Sequence, residues 1–486
     1  MKQKAAIKTP PRKEKLSAQV ARKIEHDIVK SGWQPGTILG TEAELITRYG
    51  VSRAVLREAI SQVERKGIAK MRRGHGGGLV VADSARTATI HALGTYLELV
   101  SADLRDMLEA RFLLDLLSAP LACRNISEEA AEELRDKIDR LSSNPASLEE
   151  AARLNLDIRQ LVAAVSGNPL VSLFSDAIDY SCSELVVFQF GELYIFKEFR
   201  AETAAVKSRL GSAIIDADEF NALKYTRQNI DAQMAYFKNH LDKTRAQLHS
   251  SEAAGAQGTP LKLGHSIALR ISDDIRTKGL RAGARLGSEP ELMAKYDVSR
   301  AAFREAVRLL EAHAIVQARR GSGGGLTVGA ADPSNVIDTV ILYMDVMNIQ
   351  PATLIEVREA LEVGAIRMAV QKMTADDEAR IVAALEASAD FSKPEESFYK
   401  AVMLHQAISN ASHNATLALL LQATLFCLAR TYDIAKLNVA WLQRLYDSHS
   451  EMVDALLARN EGLAVRKMLS YLEMVKGWWL EQHESA

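Results

Sequence analysis

The stretch VSRAVLRE, Val51–Glu58, decides the fold of this chain, because it returns as VSRAAFRE at Val298–Glu305. The two copies are 247 residues apart, and the segments around them repeat at the same offset. In each copy a serine stands just before an apolar period of helical spacing, as a helix N-cap would. The chain is therefore predicted to consist of two versions of one unit in tandem.

The segments around the first copy predict a winged helix-turn-helix over residues 15–83. Leu16–Ser31 has the four-residue apolar spacing of an amphipathic helix. Thr41–Glu44 is a capping box that opens a short second helix, and Ser52 opens the third. The glycine-rich sequence within Ile68–Val81 predicts a β-hairpin, the wing. Residues 262–330 repeat this register element by element.

The rest of the chain reads as helix. The predicted fold class is mainly α, with two winged helix-turn-helix domains, each followed by an all-helical bundle that we call a body. The predicted boundaries are a flexible basic arm at 1–14, a first body at 84–249, a small-residue linker at 250–261 and a second body at 331–486.

Composition and charge narrow the class of protein. Residues 1–83 hold 17 Lys and Arg against 8 Asp and Glu, and residues 262–330 hold 12 against 7, although the whole chain carries a net charge of −2. Two basic segments on acidic bodies predict two nucleic-acid-binding heads. The three cysteines are scattered along the chain, which fits a reducing cytoplasm. The sequence contains no run of about 18 apolar residues, so no membrane span is predicted.

The DNA contacts are expected on the first turns of the third helix and on the wing of each head. Arginines there can bind guanine edges or phosphates, and glycines let the wing backbone approach DNA. The alternative is that the arginines form surface ion pairs, for example Arg57 with Glu58. The candidate residues are Thr41, Ser52, Arg53, Ala54, Arg57, Arg72, Arg73, His75, Gly76, Ser288, Ser299, Arg300, Ala301, Arg304, Arg319, Arg320, Ser322 and Gly323.

Both heads, PGTILGTEAELITRYGVSRAVLREAI and RAGARLGSEPELMAKYDVSRAAFREAV, resemble the GntR family of bacterial transcription regulators. The resemblance is to the FadR-like subfamily with an all-helical effector-binding (FCD) domain, and it covers nearly the whole chain twice. The chain departs from the family at Ala43 and Pro290, where a DNA-contacting arginine is usual. A DNA contact is therefore in doubt in both heads.

The resemblance implies that each body binds a small organic or sugar acid, often beside a metal held by one Asp and three His. In the second body only His405 and His449 match, because Ala401 and Tyr471 replace the other ligands. A divalent metal such as zinc would have at most these two ligands, which is fewer than usual. The alternative is that the two histidines line a cavity or the core.

In the first body the same alignment gives His240 as the counterpart of Tyr471, which implies about fifteen extra residues before it. Arg159, Asn155 and Asp218 fall at the other ligand positions. Arg159 adds positive charge to this body and would favour an anion. The second body, which keeps two histidines, is expected to be the sensor.

Arg111 and Arg358 occupy matching places on the first long helix of each body. The resemblance implies that such an arginine faces the effector carboxylate, to which it can make two parallel hydrogen bonds. The alternative is an ion pair one turn along the same helix, with Asp115 or Glu362. The effector candidates are Arg111, Arg159, His240, Arg358, His405 and His449.

The predicted function is a metabolite-responsive, DNA-binding transcriptional repressor, not an enzyme. Its two bodies would pack as a pseudo-dimer, so that one chain reads a near-palindromic double-stranded operator. A further homodimer with four heads stays open. The alternatives are a regulator whose body resembles a pyridoxal-phosphate aminotransferase, which the second head would interrupt, and an architectural DNA binder without an effector.

Overall fold

The computed structural model describes residues 15–72, 74, 77–100, 104–143, 147–190, 196–248, 263–319, 325–432 and 436–483. Within these ranges the side chains of residues 65, 148, 149, 183–190, 196–204, 236–248, 482 and 483 lie outside the description. Helices account for most of the described residues, as the mainly α prediction requires. The predicted arm and linker lie outside the described residues. None of the described helices has the length and apolar composition to cross a membrane.

The first head follows the predicted order of elements. It consists of α1 Leu16–Lys30, β1 Ile38–Gly40, α2 Glu42–Tyr49, α3 Arg53–Arg65, β2 Ala69–Arg72 and β3 Gly78–Val81. The strands form an antiparallel sheet in the order β1-β3-β2. Gly50, with φ 64°, ends α2 in the left-handed region and turns the chain into α3.

The second head repeats this arrangement. Its elements are α11 Leu263–Thr277, β4 Arg285–Gly287, α12 Glu289–Tyr296, α13 Arg300–Ala312, β5 Val316–Arg319 and β6 Gly325–Val328. Asp297 stands where the first head has Gly50 and adopts φ 52°. Aspartate is among the few non-glycine residues that enter this region readily.

The two bodies are helical throughout their described parts. The first contains α4 Ala85–Val100, α5 Leu104–Asn125, α6 Glu128–Ser142, α7 Leu148–Val165, α8 Pro169–Phe190, α9 Phe196–Ile215 and α10 Glu219–Leu248. The second contains α14 Ser334–Val346, α15 Pro351–Lys372, α16 Ala375–Ala387, α17 Pro394–Ala411, α18 Ala415–Ala429, α19 Val439–Leu457 and α20 Glu461–His483.

The helix order corrects the sequence alignment of the bodies. The last helices begin at Glu219 and Glu461, an offset of 242, so the first body has only about five extra residues before this point instead of fifteen. The counterpart of Tyr471 is then Asn229, and that of His449 is Lys207. His240 lies three turns further along α10, and its side chain lies outside the description. The sequence alignment went wrong because the two bodies differ in length in this region, where α8 has 22 residues and its counterpart α18 has 15.

The bodies pack against each other through equivalent surfaces. Asn168 Nδ2 donates to the Thr353 carbonyl at 3.1 Å and to Glu356 Oε2 at 2.9 Å. In the reciprocal contact, Asn414 Nδ2 donates to the Asp106 carbonyl at 3.0 Å and to Glu109 Oε2 at 3.1 Å. These contacts correspond at offsets of 246 and 247, so the interface has approximate twofold symmetry.

Each head docks on the other unit's body. Lys66 Nζ of the first head lies 3.1 Å from Asp338 Oδ2 on α14 of the second body. His265 Nε2 of the second head lies 2.6 Å from the buried Glu98 Oε2 on α4 of the first body. This crossed docking positions both heads on one core.

Candidate DNA interface and effector sites

In the first head, α3 is the predicted recognition helix, the helix expected to contact DNA, and it presents its arginines to solvent. Ser52 Oγ accepts a hydrogen bond from the Val55 N–H, so α3 begins at Arg53 as expected. The side chains of Arg53 and Arg57 are about two-thirds exposed. Their Nε atoms lie 3.4 and 2.7 Å from the same Oε1 of Glu42 on α2. One carboxylate thus holds both guanidinium groups on one face of the head.

The second head has the same arrangement. Arg300 and Arg304 approach Glu289 Oε1 at 2.9 and 3.4 Å through their Nε atoms. The Arg300 hydrogen bond lowers the pKa of Glu289, and that of Arg57 lowers the pKa of Glu42. Both carboxylates therefore stay ionised near neutral pH. Sequence reasoning missed both carboxylates as partners, because the expected acidic neighbour of Arg57 is Glu58 on the same helix.

The remaining described head residues fall into two groups. Thr41 and Ser288 accept hydrogen bonds from Glu44 and Glu291 in complete capping boxes, so their hydroxyls serve the helix starts. The four exposed residues beside the arginines and at the base of the wings are Ala54, Ala301, Arg72 and Arg319. Arg73, His75, Gly76, Arg320, Ser322 and Gly323 lie outside the described residues.

The base of each wing depends on glycine. Arg72 pairs with Gly78 in the first wing, and Arg319 pairs with Gly325 in the second. A Cβ atom on Gly78 would lie 2.6 Å from the Gly40 carbonyl oxygen, and one on Gly325 would lie 2.4 Å from that of Gly287. Glycine thus lets β3 pack closely against β1 in the first head, and β6 against β4 in the second. This packing fixes the position of each wing on its head.

In the second body the candidate residues come together around one buried guanidinium. Arg358 donates to the Tyr471 hydroxyl at 3.1 Å and to Glu362 Oε1 at 3.2 Å, and its Nη2 lies 3.3 Å from His405 Nε2. His405 Nε2 in turn lies 3.1 Å from His449 Nε2. All five side chains are buried.

Burial controls the protonation of this cluster. Desolvation lowers the pKa of His405 although Glu362 opposes it, and desolvation together with His405 and Arg358 lowers that of His449 further. Burial alone would raise the pKa of Glu362, but His405 and Arg358 lower it. Two neutral imidazoles and one carboxylate therefore surround a permanent cation, and the charges of Arg358 and Glu362 cancel.

A small, mostly apolar cavity adjoins this cluster. Its volume is about 20 Å³, which is room for about one water molecule. Arg358 and Tyr471 form its polar end, and Trp441 and Trp478, stacked with ring centroids 4.9 Å apart, form part of its apolar wall. An organic acid would have to open this cavity before it could reach Arg358.

The second-body residues do not fit a dedicated zinc site. Such a site needs three or four protein ligands, and the described residues contain no group of three or more His, Cys, Asp and Glu suited to a metal. Arg358 Nη2 also lies 3.3 Å from His405 Nε2, where a metal bound to that nitrogen would meet a positive charge.

The first body has a different polar cluster at the equivalent place. Arg111 donates to Gln233 Oε1 at 2.5 Å and lies 3.7 Å from Asp179 Oδ1 and 3.8 Å from Asp115 Oδ2. Arg159 donates to Asp179 Oδ1 at 2.6 Å. Arg111 and Arg358 thus each pair with the carboxylate one turn along the same helix, Asp115 and Glu362 respectively. Each also contacts residues on other helices of its body.

Lys207 on α9 is the member of this cluster that sequence reasoning missed. Its ammonium is buried and donates to Asn155. Burial, reinforced by Arg159 and Arg111, lowers its pKa to about 7. Only the offset of the last helices could have revealed it as the counterpart of His449.

Exposed arginines at the N-terminal ends of two recognition helices, with a wing beside each, define a DNA-binding transcriptional regulator. Residues 16–79 and 263–325 match the model of "Bacterial regulatory proteins, gntR family", and residues 106–190 and 353–474 match that of the FCD domain. The chain belongs to the GntR family, with both domains present twice.

Individual relatives correspond to about half of the chain. The HTH-type transcriptional regulator LutR of Bacillus subtilis is 30% identical over 210 residues, which are 42% of this chain and 94% of LutR. The Uxu operon transcriptional regulator of Escherichia coli is 28% identical over a stretch that covers 44% of this chain and 86% of that regulator's sequence. A solved structure, Streptococcus agalactiae GntR, is 17% identical with a TM-score of 0.34 and covers 44% of this chain and 97% of its own.

Proposed function

We propose that one chain acts as a covalent pseudo-dimer, in which the two heads bind the two halves of a near-palindromic operator and repress transcription in the cytoplasm. The observation that carries this proposal is the reciprocal packing of the bodies, Asn168 on Glu356 and Asn414 on Glu109. Tethering two heads raises affinity by ~10²–10⁴ when both half-sites are within reach.

The heads differ at exposed positions of the helix-turn-helix. Ala43 of the first head corresponds to Pro290 in the second, and Thr47 corresponds to Ala294. Because a homodimer cannot present two different heads, a single chain can prefer an operator whose half-sites differ. This asymmetry supports a near-palindromic target over a perfect palindrome.

We further propose that a small organic or sugar acid controls DNA binding through the bodies, and that neither body uses a resident metal. The crossed docking supports this control, because a shift in one body would move the other unit's head. A coupling of ~1–3 kcal/mol between acid and operator is expected. An architectural DNA binder would have no such coupling and little sequence preference.

Footprinting on the operator tests the first proposal. The wild-type chain should protect two half-sites. Arg300→Ala should remove protection of one half and Arg53→Ala that of the other. Protection of one half-site only by the wild-type chain, or loss of the same half in both variants, would contradict the pseudo-dimer. Equal affinity for random DNA would favour the architectural alternative.

A further inference from the structure

The solvent-facing side of α13 in the second head forms one strip along the helix, which we call the exposed strip. Successive residues of an α-helix are about 100° apart around its axis. Counted from Arg300, the exposed residues Arg304 and Glu305 lie at about 40° and 140°. The buried residues lie on the opposite side, between about 200° and 300°, and they are Ala302, Phe303, Ala306 and Leu310. Arg308 is exposed and lies at about 80°, near the middle of the exposed strip.

No ion-pair partner is found for Arg308 among the described residues. The nearest acidic residues along the helix are engaged elsewhere: Glu311 Oε1 accepts a hydrogen bond from a backbone N–H of β5 at 3.1 Å, and the Glu305 side chain packs against Gly264 of α11. Arg304, one turn before Arg308, carries the same charge, and like charges at this spacing destabilise a helix. The stability of α13 therefore does not explain an arginine at this position.

The first head lacks this cation, because the counterpart of Arg308 at the 247-residue offset is Ser61 on α3. The exposed residues before this position are identical in the two heads: Arg53, Ala54, Arg57 and Glu58 in the first, and Arg300, Ala301, Arg304 and Glu305 in the second. The next difference, Arg65 against Ala312, is one turn further along, about 18 Å from the helix start. Over the first nine residues of the two helices, the exposed surfaces thus differ by one positive charge.

The position of Arg308 along α13 suits a phosphate better than a base. The N-terminal end of a recognition helix contacts the base edges, and Arg308 is about 12 Å further along the axis than Arg300. The major groove is about 8.5 Å deep, so on a helix that enters the groove by its N-terminal end Arg308 reaches the level of the phosphates. A guanidinium at this level neutralises phosphate charge and releases bound counterions.

We propose that Arg308 contacts a DNA phosphate and that this contact belongs to the second head alone. The contact strengthens the binding of that head to its half-site without selecting the base sequence. The proposal rests on the proposed function, in which both heads bind DNA, and it deepens that function by making the phosphate contacts of the two half-sites unequal.

The test measures the affinity of the full chain for the operator and for a random duplex of equal length. Fluorescence anisotropy titrations between about 50 and 200 mM salt give the slope of log affinity against log salt concentration. Arg308→Ser should reduce the magnitude of this slope by ~0.9 on both duplexes, as the loss of one phosphate contact requires. The affinity should fall ~8-fold on both at about 0.1 M salt, because such a contact contributes little near 1 M salt.

Two further variants control for charge and for position. Arg281→Ser removes an exposed cation of the same head, from the turn before β4. The Gly283 N–H in this turn donates to the Val328 carbonyl, which is at the end of β6 away from the wing. Arg281→Ser should therefore leave the slope unchanged. Ser61→Arg adds the cation at the equivalent position of the first head and should increase the magnitude of the slope by ~0.9.

Ethylation interference locates the contact on the DNA. The wild-type chain should show a phosphate whose ethylation blocks binding in the half-site that loses protection in Arg300→Ala, and Arg308→Ser should lose this signal. Because the substitution removes a like-charged neighbour of Arg304, the melting temperature of Arg308→Ser should not fall below that of the wild type.

Three results would overturn the proposal. They are an unchanged slope in Arg308→Ser, an equal change of slope in Arg281→Ser, and a loss of affinity on the operator alone, which would assign Arg308 to a base. If footprinting shows only one protected half-site for the wild-type chain, the pseudo-dimer fails. The slope of Arg308→Ser on random DNA still decides the phosphate contact in that case.

Discussion

Lys66 Nζ in the first head lies 3.1 Å from Asp338 Oδ2 in the second body, and the same ammonium lies 2.9 Å from Glu25 Oε1 in its own head. The side chains of Lys66 and Glu25 are 8% and 6% exposed, whereas that of Asp338 is 56% exposed. A buried head-internal pair is thus extended by a surface contact to the body. In the second head the counterpart of Lys66 is His313, which packs edge-on against Tyr96 of the first body.

Removal of Lys66 should destabilise the protein strongly. Lys66→Met leaves Glu25 buried without its partner, which costs ~3–5 kcal/mol. Asp338→Asn is the matched control and should cost less than ~1 kcal/mol, because this carboxylate is exposed. The double variant Lys66→Met/Glu25→Leu should recover most of the loss. Urea unfolding measures the free energy of unfolding of all three variants. An equal loss of stability in Lys66→Met and Asp338→Asn would contradict the conclusion that the buried pair with Glu25 contributes more than the surface contact with Asp338.

The docking of the second head should weaken in acid. Burial lowers the pKa of His313 to about 4, compared with about 6.5 in an unfolded chain. The unfolded state therefore binds more protons between these values, and the stability falls as pH drops from about 6.5 to about 4, by up to ~3 kcal/mol. His313→Phe keeps the ring against Tyr96 but cannot titrate. Urea unfolding at pH 7 and pH 5 should show a smaller difference for this variant, and an unchanged difference would count against His313.

The arginines of the recognition helices should contribute to sequence discrimination. Arg53→Ala and Arg300→Ala should each cost ~1–3 kcal/mol on the operator and much less on random DNA. Glu42→Gln removes the carboxylate that holds Arg53 and Arg57 but leaves both cations in place. We expect it to reduce the ratio of specific to non-specific affinity without weakening random-DNA binding. Gel-shift titrations measure both affinities. An equal loss on both DNAs would assign the arginines to phosphates.

Zinc should not stabilise the chain through the second body. With Arg358 beside His405 and only two histidines as ligands, neither EDTA nor zinc should move the melting temperature by more than an equal concentration of magnesium does. His405→Gln is the control for histidine-dependent binding. A zinc-dependent rise that His405→Gln abolishes would contradict the metal-free proposal.

The helices and strands of the heads could be predicted from the sequence, because the patterns that specify them are local. The Thr41 and Ser52 caps, the apolar spacing of Leu16–Ser31 and the wing glycines each act within a few residues, and both copies form the predicted elements. The ion pairs of Glu42 were not predicted, because Arg53 and Arg57 lie eleven and fifteen residues away on another helix. Composition and periodicity do not report such contacts.

The polar cluster of the first body could not be predicted because it depends on register between distant helices. The alignment used His240, a residue of the expected type, although the start of the last helix makes Asn229 the counterpart of Tyr471 and Gln233 is the residue of that helix that contacts Arg111. Lys207 resembles none of the residues usual at its position. Docking of each head on the other unit's body is likewise determined by tertiary packing, which a tandem repeat does not specify.

The mass of the complex with a single operator tests the central claim most directly. Sedimentation equilibrium, with chain and operator at concentrations well above their dissociation constant, should give one chain bound to one operator, with both heads engaged. A complex of two chains on one operator, with only one head of each chain required for affinity, would contradict the covalent pseudo-dimer.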